Sequence, residues 1–75
     1  MAGDSLTGSR IRERRLMLGL RQADLARDVG ISASYLNLIE HNRRRIGGKL
    51  LVTLANVLGV EPSILTDGVE ATLVA

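Results

Sequence analysis

Residues 21–45, RQADLARDVGISASYLNLIEHNRRR, decide the fold of this 75-residue chain. Apolar residues recur at helical spacing on both sides of Gly30, and glycine is the residue type that most readily ends a helix in the left-handed conformation. Ser32 is well suited to cap the helix that follows. The stretch therefore predicts two short helices, over residues 22–29 and about 33–41, joined by a tight turn.

Three more helices are predicted outside this pair. The segments 8–18 and 49–58 carry apolar residues at helical spacing, and each is followed by a glycine. A last short helix opens at Pro62 and ends at about residue 66, because proline suits the first position of a helix. The expected fold is all-α, with five helices in one domain over residues 9–66.

The two ends of the chain differ from that domain in composition. Residues 1–8 are small and polar, which predicts a flexible leader. Residues 67–75 are largely apolar, which is unusual for a free terminus. We expect this tail either to pack on a neighbour or to begin a linker to a domain that this sequence does not contain.

The same periodicity predicts which side chains are buried. In the first helix, Ile11, Arg15 and Leu18 share one face. The inward faces of the next three helices comprise Leu25, Ala26 and Val29; Leu36, Ile39 and Glu40; and Leu51, Leu54, Ala55 and Leu58.

The composition excludes several classes of site. With no cysteine and only His41 as a histidine, neither a disulfide framework nor a metal site is expected. We also expect no cofactor and no enzyme activity, because a nucleophile beside a base and a glycine-rich phosphate loop between a strand and a helix are both missing. No apolar run approaches the roughly 20 residues that span a bilayer, so a cytoplasmic protein without a membrane partner is expected.

The basic residues are concentrated in one part of the chain. Residues 10–49 hold all ten arginines and lysines against four acidic residues, a net charge of +6, although the whole chain carries only +2. Such asymmetry favours a basic face for a polyanion, but a solvated surface is an equally ordinary explanation. The positions of the charges must decide between the two.

The layout of residues 22–41 matches a helix-turn-helix, in which the second helix lies in the major groove of DNA. The segment LRQADLARDVGISASYLNLIEHNRRR, followed by LLVTLANVLGV, resembles the phage-repressor and Cro-like (XRE-type) helix-turn-helix family of bacterial transcription regulators. The matched features are Leu20 with Gln22, Leu25-Ala26, Gly30 with Ile31-Ser32, Tyr35-Leu36, Ile39-Glu40, and Leu54-Ala55 with Leu58-Gly59-Val60. The resemblance covers about residues 9–66.

This resemblance implies a lambda-repressor-like domain that binds double-stranded DNA sequence-specifically, as a homodimer on a two-fold related operator, in the bacterial nucleoid. The segment ISASYLNLIEHNRRRIGGKLL, residues 31–51, particularly resembles the N-terminal domain of longer regulators of short-chain fatty acid metabolism. In such a protein a small-molecule effector would act only through a domain outside this chain.

The resemblance places four residues of the third predicted helix against base edges. Asn37 would read adenine through two hydrogen bonds, and Ser34 would bond almost any base. Ala33 and Leu38 would touch a thymine methyl group, although Leu38 can instead lie at a helix junction. Longer Gln, Arg or Lys side chains are common on this face in the family, so direct base discrimination is expected to be modest.

A second set of residues would contact the phosphate backbone. Each is polar or basic and lies at a helix N-terminus or just after the third helix: Gln22, Ser32, Tyr35, His41, Asn42, Arg43, Arg44 and Arg45. For Tyr35 the alternative is a place at the rim of the core, and for the three arginines it is a solvated charge run. Arg21 stands where a capping residue would be expected, a departure that contact with a phosphate would explain.

In similar repressors, an arginine and a glutamate at the places of Arg15 and Glu40 form a largely buried ion pair. The resemblance therefore implies a structural pair here.

A protein-interaction module, such as an antitoxin or an adaptor, is the alternative function, because the same scaffold can bind a partner protein. DNA binding predicts that Ala33, Ser34, Asn37 and the arginines share one exposed face. Protein binding predicts instead an apolar patch of Leu38, Val69, Leu73 and Val74. Binding of single-stranded RNA is disfavoured, since one aromatic residue cannot form a stacking platform.

Overall fold

Five α-helices make up residues 7–67, the part of the chain that this computed structural model describes. They are α1 (Thr7–Met17), α2 (Gln22–Val29), α3 (Ala33–Glu40), α4 (Gly48–Leu58) and α5 (Pro62–Asp67). The described residues contain no strand, so the predicted all-α fold with five helices is confirmed for them. Most of the predicted leader, and the predicted tail from residue 68 onward, lie outside the described residues.

The core is a single cluster to which all five helices contribute. α3 packs on α1 and α2, while α4 and α5 pack on each other and on α1. The fully buried apolar residues are Ile11, Leu25, Ala26, Leu36, Ile39, Leu54, Ala55, Leu58 and Leu65. Val29 and Leu51, which the periodicity assigned to inward faces, are half-buried and pack against this cluster.

Three helices end in the same way, and each ending returns the chain to the core. Gly19, Gly30 and Gly59 adopt the left-handed conformation, with φ of 71°, 81° and 74°. In each case the next amide bonds to a carbonyl five residues back, as in a Schellman motif. These bonds run from Leu20, Ile31 and Val60 to Arg15, Ala26 and Ala55, at 3.0, 2.9 and 3.0 Å. The apolar residue after each glycine packs on the core, which fixes the direction of the following helix.

The end of α3 has the same backbone geometry but different side chains. Asn42 takes the left-handed position with a φ of 62°, and the amide of Arg43 bonds to the Leu38 carbonyl at 2.8 Å. Because the residue after Asn42 is a charged arginine rather than an apolar one, the chain turns outward here. The fold thus exposes the segment that carries the three consecutive arginines.

The side chain of Asn42 also joins the end of α3 to the start of α1. Its Oδ1 accepts a hydrogen bond from the Gly8 amide at 3.0 Å, and its Nδ2 donates to Ser9 Oγ at 2.9 Å. α1 approaches α3 so closely that a methyl group at Gly8 would overlap the carbonyl oxygen of Ile39. Thr7 and Gly8 therefore belong to the first turn of α1 and not to a flexible leader.

One predicted core position is wrong. Leu18 was expected on the inward face of the first helix, but its side chain is 49% exposed. α1 ends at Met17, so the spacing of seven residues from Ile11 no longer places Leu18 on the helical face. Leu20 takes its place against the core. Within residues 7–67, no helix is both long and apolar enough to cross a membrane.

Candidate nucleic-acid interface

α3 presents the predicted base-facing residues on one side of the molecule. Ala33, Ser34 and Asn37 are exposed and Leu38 is half-buried. Together with Gln22 from the start of α2, these four residues line a shallow, open depression. The opposite side of α3 is buried through Leu36, Ile39 and Glu40. The amphipathic pattern of α3 therefore places Ala33, Ser34, Asn37 and the exposed part of Leu38 on one outward-facing surface.

Ser32 fixes the start of α3 as its N-cap. Its Oγ accepts a hydrogen bond from the Tyr35 amide at 3.0 Å, and its extended backbone (φ −77°, ψ 154°) leads into the helix. The hydroxyl hydrogen of Ser32 is still available for an external acceptor such as a phosphate. Tyr35 is half-buried and packs against the core, so the rim position considered as its alternative is part of its role.

The side chain of Gln22 occupies the gap between α2 and α3. Its Nε2 lies 3.2 Å from Asn37 Oδ1 and 3.1 Å from Glu40 Oε1, and it donates to both. These two bonds use both amide hydrogens, so the phosphate contact expected from the Gln22 amide competes with contacts inside the protein. This bridge could not be predicted from a local pattern, because Gln22 lies 15 and 18 residues from its partners.

A buried ion pair lies directly beneath that bridge. The Nε and Nη2 atoms of Arg15 donate to Glu40 Oε2 and Oε1 at 2.8 and 2.9 Å, and Nη1 donates to the Leu20 carbonyl at 2.9 Å. Arg15 is 8% exposed and Glu40 is 2% exposed. The hydrogen bonds and the charge of Glu40 raise the pKa of Arg15, and they outweigh the lowering by burial. The pair links α1, the turn before α2, and α3.

The three arginines after α3 form the second part of the interface, which we call the arginine loop, residues 43–45. All three are exposed. With Ile46 and residues of α1, α4 and α5 they line an open groove of about 590 Å³. No acidic partner lies within ion-pair distance of these arginines among the described residues. Their charges are therefore available to an external anion.

Asn42 and His41, which were also expected to contact phosphates, likewise have contacts within the protein. Asn42 holds α1 through both atoms of its amide, so its side chain is committed to the fold. Glycine would also tolerate the left-handed conformation, but it has no side chain to make this contact. His41 is exposed beside the arginine loop, and its Nδ1 lies 2.8 Å from the Asn37 carbonyl oxygen.

Arg21 occupies the N-cap position of α2 without capping it. Its backbone is extended (φ −80°, ψ 149°) and its side chain makes no hydrogen bond to the first turn. The side chain is 85% exposed and lies 3.5 Å from Asp24, which also contacts Arg27 at 3.3 Å. The N-terminus of α2 therefore carries an exposed positive charge where most helices carry a capping oxygen.

The described residues contain no candidate metal site. No group of three or more His, Cys, Asp or Glu side chains that could hold a metal ion occurs among them. The exposed face of α3 and the arginine loop instead combine a neutral polar surface with a row of cations. Of the apolar patch that would favour a protein partner, Leu38 is half-buried, and Val69, Leu73 and Val74 lie outside the described residues.

Comparison with known proteins identifies the same family from the sequence and from the structure. The model of the Helix-turn-helix family matches residues 11–65. The chain is 40% identical over 68 residues to the HTH-type transcriptional regulator RamB of Mycobacterium tuberculosis, covering 91% of this chain and 14% of RamB. It is 38% identical over 66 residues to the propionyl-CoA carboxylase regulator of Cereibacter sphaeroides, covering 88% of this chain and 14% of that protein.

Among solved structures, the P22 c2 repressor in complex with a synthetic operator superposes with a TM-score of 0.79. The two are 36% identical, and the match covers 84% of this chain and 96% of the repressor chain. The family match includes all of α2, the turn and α3, which are the elements that form the candidate interface. This chain belongs to the helix-turn-helix family of DNA-binding transcription regulators, of the phage-repressor and Cro type.

Proposed function

We propose that this domain recognises an operator sequence by laying α3 in the major groove of double-stranded DNA. The observation that carries the proposal is the exposure of two surfaces that follow one another along the chain. The depression lined by Gln22, Ala33, Ser34, Asn37 and Leu38 is neutral and faces outward. The arginine loop follows the end of α3 and begins five residues after Leu38. This pairing of a neutral reading surface with flanking cations is what duplex DNA requires.

The outward side chains of α3 are suited to different base groups. The Ala33 methyl and the exposed part of Leu38 can contact a thymine methyl group, and the Ser34 hydroxyl can donate to or accept from most base edges. Asn37 contacts a base through its amide. Because none of these side chains is long, the backbone of α3 must approach the base edges closely, and sequence-dependent groove shape contributes to recognition.

The phosphate contacts are assigned to cations and helix ends around this surface. Arg43, Arg44 and Arg45 are exposed and have no acidic partner among residues 7–67. Arg21 and the unfilled N-cap of α2 attract a phosphate, since the helix N-terminus carries a partial positive charge. Ser32 and Tyr35 contribute hydroxyl groups, and His41 lies beside the arginine loop.

The assembly is proposed to be a homodimer on a two-fold related operator. A single module of this kind buries only about 600–1,000 Å² on DNA, which is too little for tight and specific binding by one protomer. α5 and the tail that follows it are the proposed dimer surface, of which residues 68–75 lie outside the described part of the chain. Sedimentation of the domain with an operator duplex tests this directly. Two protomers per duplex support the dimer, and one protomer per duplex contradicts it.

The chain spans only 14% of the length of the two relatives named above, so the activity of a whole protein of that kind is also a proposal. We place this domain in the bacterial nucleoid as the operator-binding part of a regulator. A small-molecule effector would act through a domain that this sequence does not contain.

The decisive experiment measures binding to duplex DNA across a salt series. Each phosphate contact contributes about 0.9 to the slope of log K against log salt concentration. The variant Arg43→Ala/Arg44→Ala/Arg45→Ala should therefore bind more weakly and with a shallower slope, by nearly one unit for each arginine that contacts a phosphate. Fluorescence anisotropy with a labelled random duplex is sufficient for this measurement.

A matched control removes the same charge elsewhere. Arg12→Ala/Arg14→Ala/Arg27→Ala alters three arginines of α1 and α2 and changes the net charge equally. We expect a clearly smaller change in slope for this control. Equal changes in both variants would show that only the total charge matters, and absence of binding by the unaltered domain at low salt would refute the proposal.

A further inference from the structure

The side chain of Gln22 connects the buried ion pair to the exposed face of α3. Arg15 donates to Glu40, Gln22 donates to Glu40 Oε1 at 3.1 Å, and the same Gln22 nitrogen donates to Asn37 Oδ1 at 3.2 Å. The chain of contacts begins at a residue that is 2% exposed and ends at an exposed residue on the proposed reading surface. It therefore couples a fixed group in the core to an amide at the surface.

The direction of every hydrogen bond in this chain follows from its buried end. A carboxylate paired with an arginine has only acceptor atoms, so Gln22 must turn its NH₂ group, and not its carbonyl oxygen, toward Glu40. The second hydrogen of that NH₂ group then points at Asn37 and needs an acceptor there. Only the carbonyl oxygen of Asn37 meets this need, because two NH₂ groups would otherwise face each other.

The bond to Gln22 determines which group of the Asn37 amide faces outward. With Oδ1 held by Gln22, the group that Asn37 turns away from Gln22 is its Nδ2, which carries two donor hydrogens. No protein acceptor for Nδ2 occurs among the hydrogen bonds of residues 7–67. Asn37 therefore presents two donor hydrogens to the outside, while Gln22 occupies one of the two acceptor sites of its Oδ1.

We propose that Gln22 is a specificity-determining residue that makes Asn37 a donor toward DNA and so directs it to guanine rather than adenine. Guanine offers two acceptors, N7 and O6, at its major-groove edge. Adenine offers one acceptor, N7, beside the donor N6, and reading it through two bonds requires both Oδ1 and Nδ2 of an asparagine. Because Gln22 fills one of the two acceptor sites of Oδ1, the N6 donor of adenine can reach only the remaining site, whereas both hydrogens of Nδ2 are open to the two acceptors of guanine. This inference rests on the proposed function, since it assumes that Asn37 meets a base.

The test compares the base preferences of three proteins selected from one random duplex library: the unaltered domain, Asn37→Ala and Gln22→Met. The position that loses its preference in Asn37→Ala is the one that Asn37 reads. At that position the unaltered domain should select guanine over adenine by about fivefold or more, as expected for a two-bond contact. Gln22→Met keeps the side-chain length but frees the Asn37 amide to rotate, so the ratio of guanine to adenine should fall at least about threefold.

The ratio separates this role from a contact between Gln22 and a phosphate. Loss of a phosphate contact weakens binding to all sequences about equally and leaves the ratio unchanged. Selection of adenine by the unaltered domain, or an unchanged ratio in Gln22→Met, overturns the inference and leaves DNA recognition by α3 intact. If Asn37→Ala changes no position, the base contact in the proposed function is refuted, and the inference is refuted with it. Circular dichroism of the two variants confirms that they are folded.

Discussion

Replacing one partner of the ion pair between Arg15 and Glu40 should severely destabilise the domain. In Glu40→Met the guanidinium of Arg15 loses two charge-assisted hydrogen bonds of 2.8 and 2.9 Å at a site where it is 8% exposed. A stranded buried charge of this kind costs about 3–5 kcal/mol. Arg15 cannot escape the cost by releasing its proton, because an arginine stays protonated at any ordinary pH.

That penalty is large relative to the stability of a 75-residue chain. Domains of this size unfold with a free energy of roughly 4–11 kcal/mol, at 0.05–0.15 kcal/mol per residue. Each kcal/mol lost lowers the melting temperature by about 4–8 °C. Glu40→Met and Arg15→Met should therefore both unfold at much lower urea concentration than the unaltered domain, as followed by far-ultraviolet circular dichroism.

The double variant Arg15→Met/Glu40→Met supplies the control. It leaves no unpaired charge, and only the partly exposed Leu20 carbonyl and Gln22 amide lose a partner, which water can replace. We expect its stability to lie within about 2 kcal/mol of the unaltered domain. A loss of less than about 1 kcal/mol in either single variant, or a double variant as unstable as the sum of the singles, would show that the pair does not act as described.

The pH dependence of the pair follows from the raised pKa of Arg15. Because the folded-state pKa lies above the unfolded value, the stabilisation is fully present below the unfolded pKa and is lost only as the pH rises through the folded value. That window is strongly alkaline, so titration of Arg15 adds no pH dependence to stability between neutral and mildly alkaline solution. The difference in the free energy of unfolding between Glu40→Met and the unaltered domain should therefore be the same at neutral and at mildly alkaline pH.

Substitutions at Gly8, Ser32 and Arg21 test the packing and the helix ends by urea or thermal unfolding. Gly8→Ala should lose about 1–3 kcal/mol of stability, because the added methyl group overlaps the Ile39 carbonyl. Gly48→Ala is the control: its added methyl group meets no atom within 4 Å, so its stability should change by less than about 1 kcal/mol. Equal effects of the two substitutions would contradict the close approach of α1 to α3. Ser32→Ala should lose about 1 kcal/mol through the missing N-cap, and Ser32→Asn should retain most of it. Arg21→Ser should stabilise α2 by about 0.5–1 kcal/mol by restoring a cap while weakening DNA binding at low salt; a variant that binds DNA as well as the unaltered domain would remove Arg21 from the interface.

The helix-turn-helix could be predicted from the sequence because its determinants are local. The bounds of α2, Gln22–Val29, agree with the prediction, since Gly30 stops the helix and Leu25 with Ala26 defines its buried face. Ser32 caps α3 as expected for the same local reason. The link between Arg15 and Glu40 spans 25 residues, and only the resemblance to repressors pointed to it.

The details of the interface could not be predicted, because they depend on residues that the fold brings together. Asn42 was assigned to a phosphate, but its amide bonds to Gly8, 34 residues away, a contact that no local pattern reveals. Gln22 likewise has an amide suited to a phosphate, and only the approach of α2 to α3 gives it two internal acceptors. The predicted burial of Leu18 was wrong for a different reason, because helical spacing holds only as far as the helix continues.

The ending of α3 also determines where this domain can change length. The three connections that follow a left-handed glycine are short, and their next residue is anchored in the core, so an added or deleted residue would displace a whole helix. The arginine loop is anchored separately at its two ends, by Asn42 against α1 and by Ile46 against the core. Insertions between these anchors change only a surface loop and add little closure entropy. Residues, and with them positive charges, can therefore be added to or removed from the arginine loop while the five described helices stay in position.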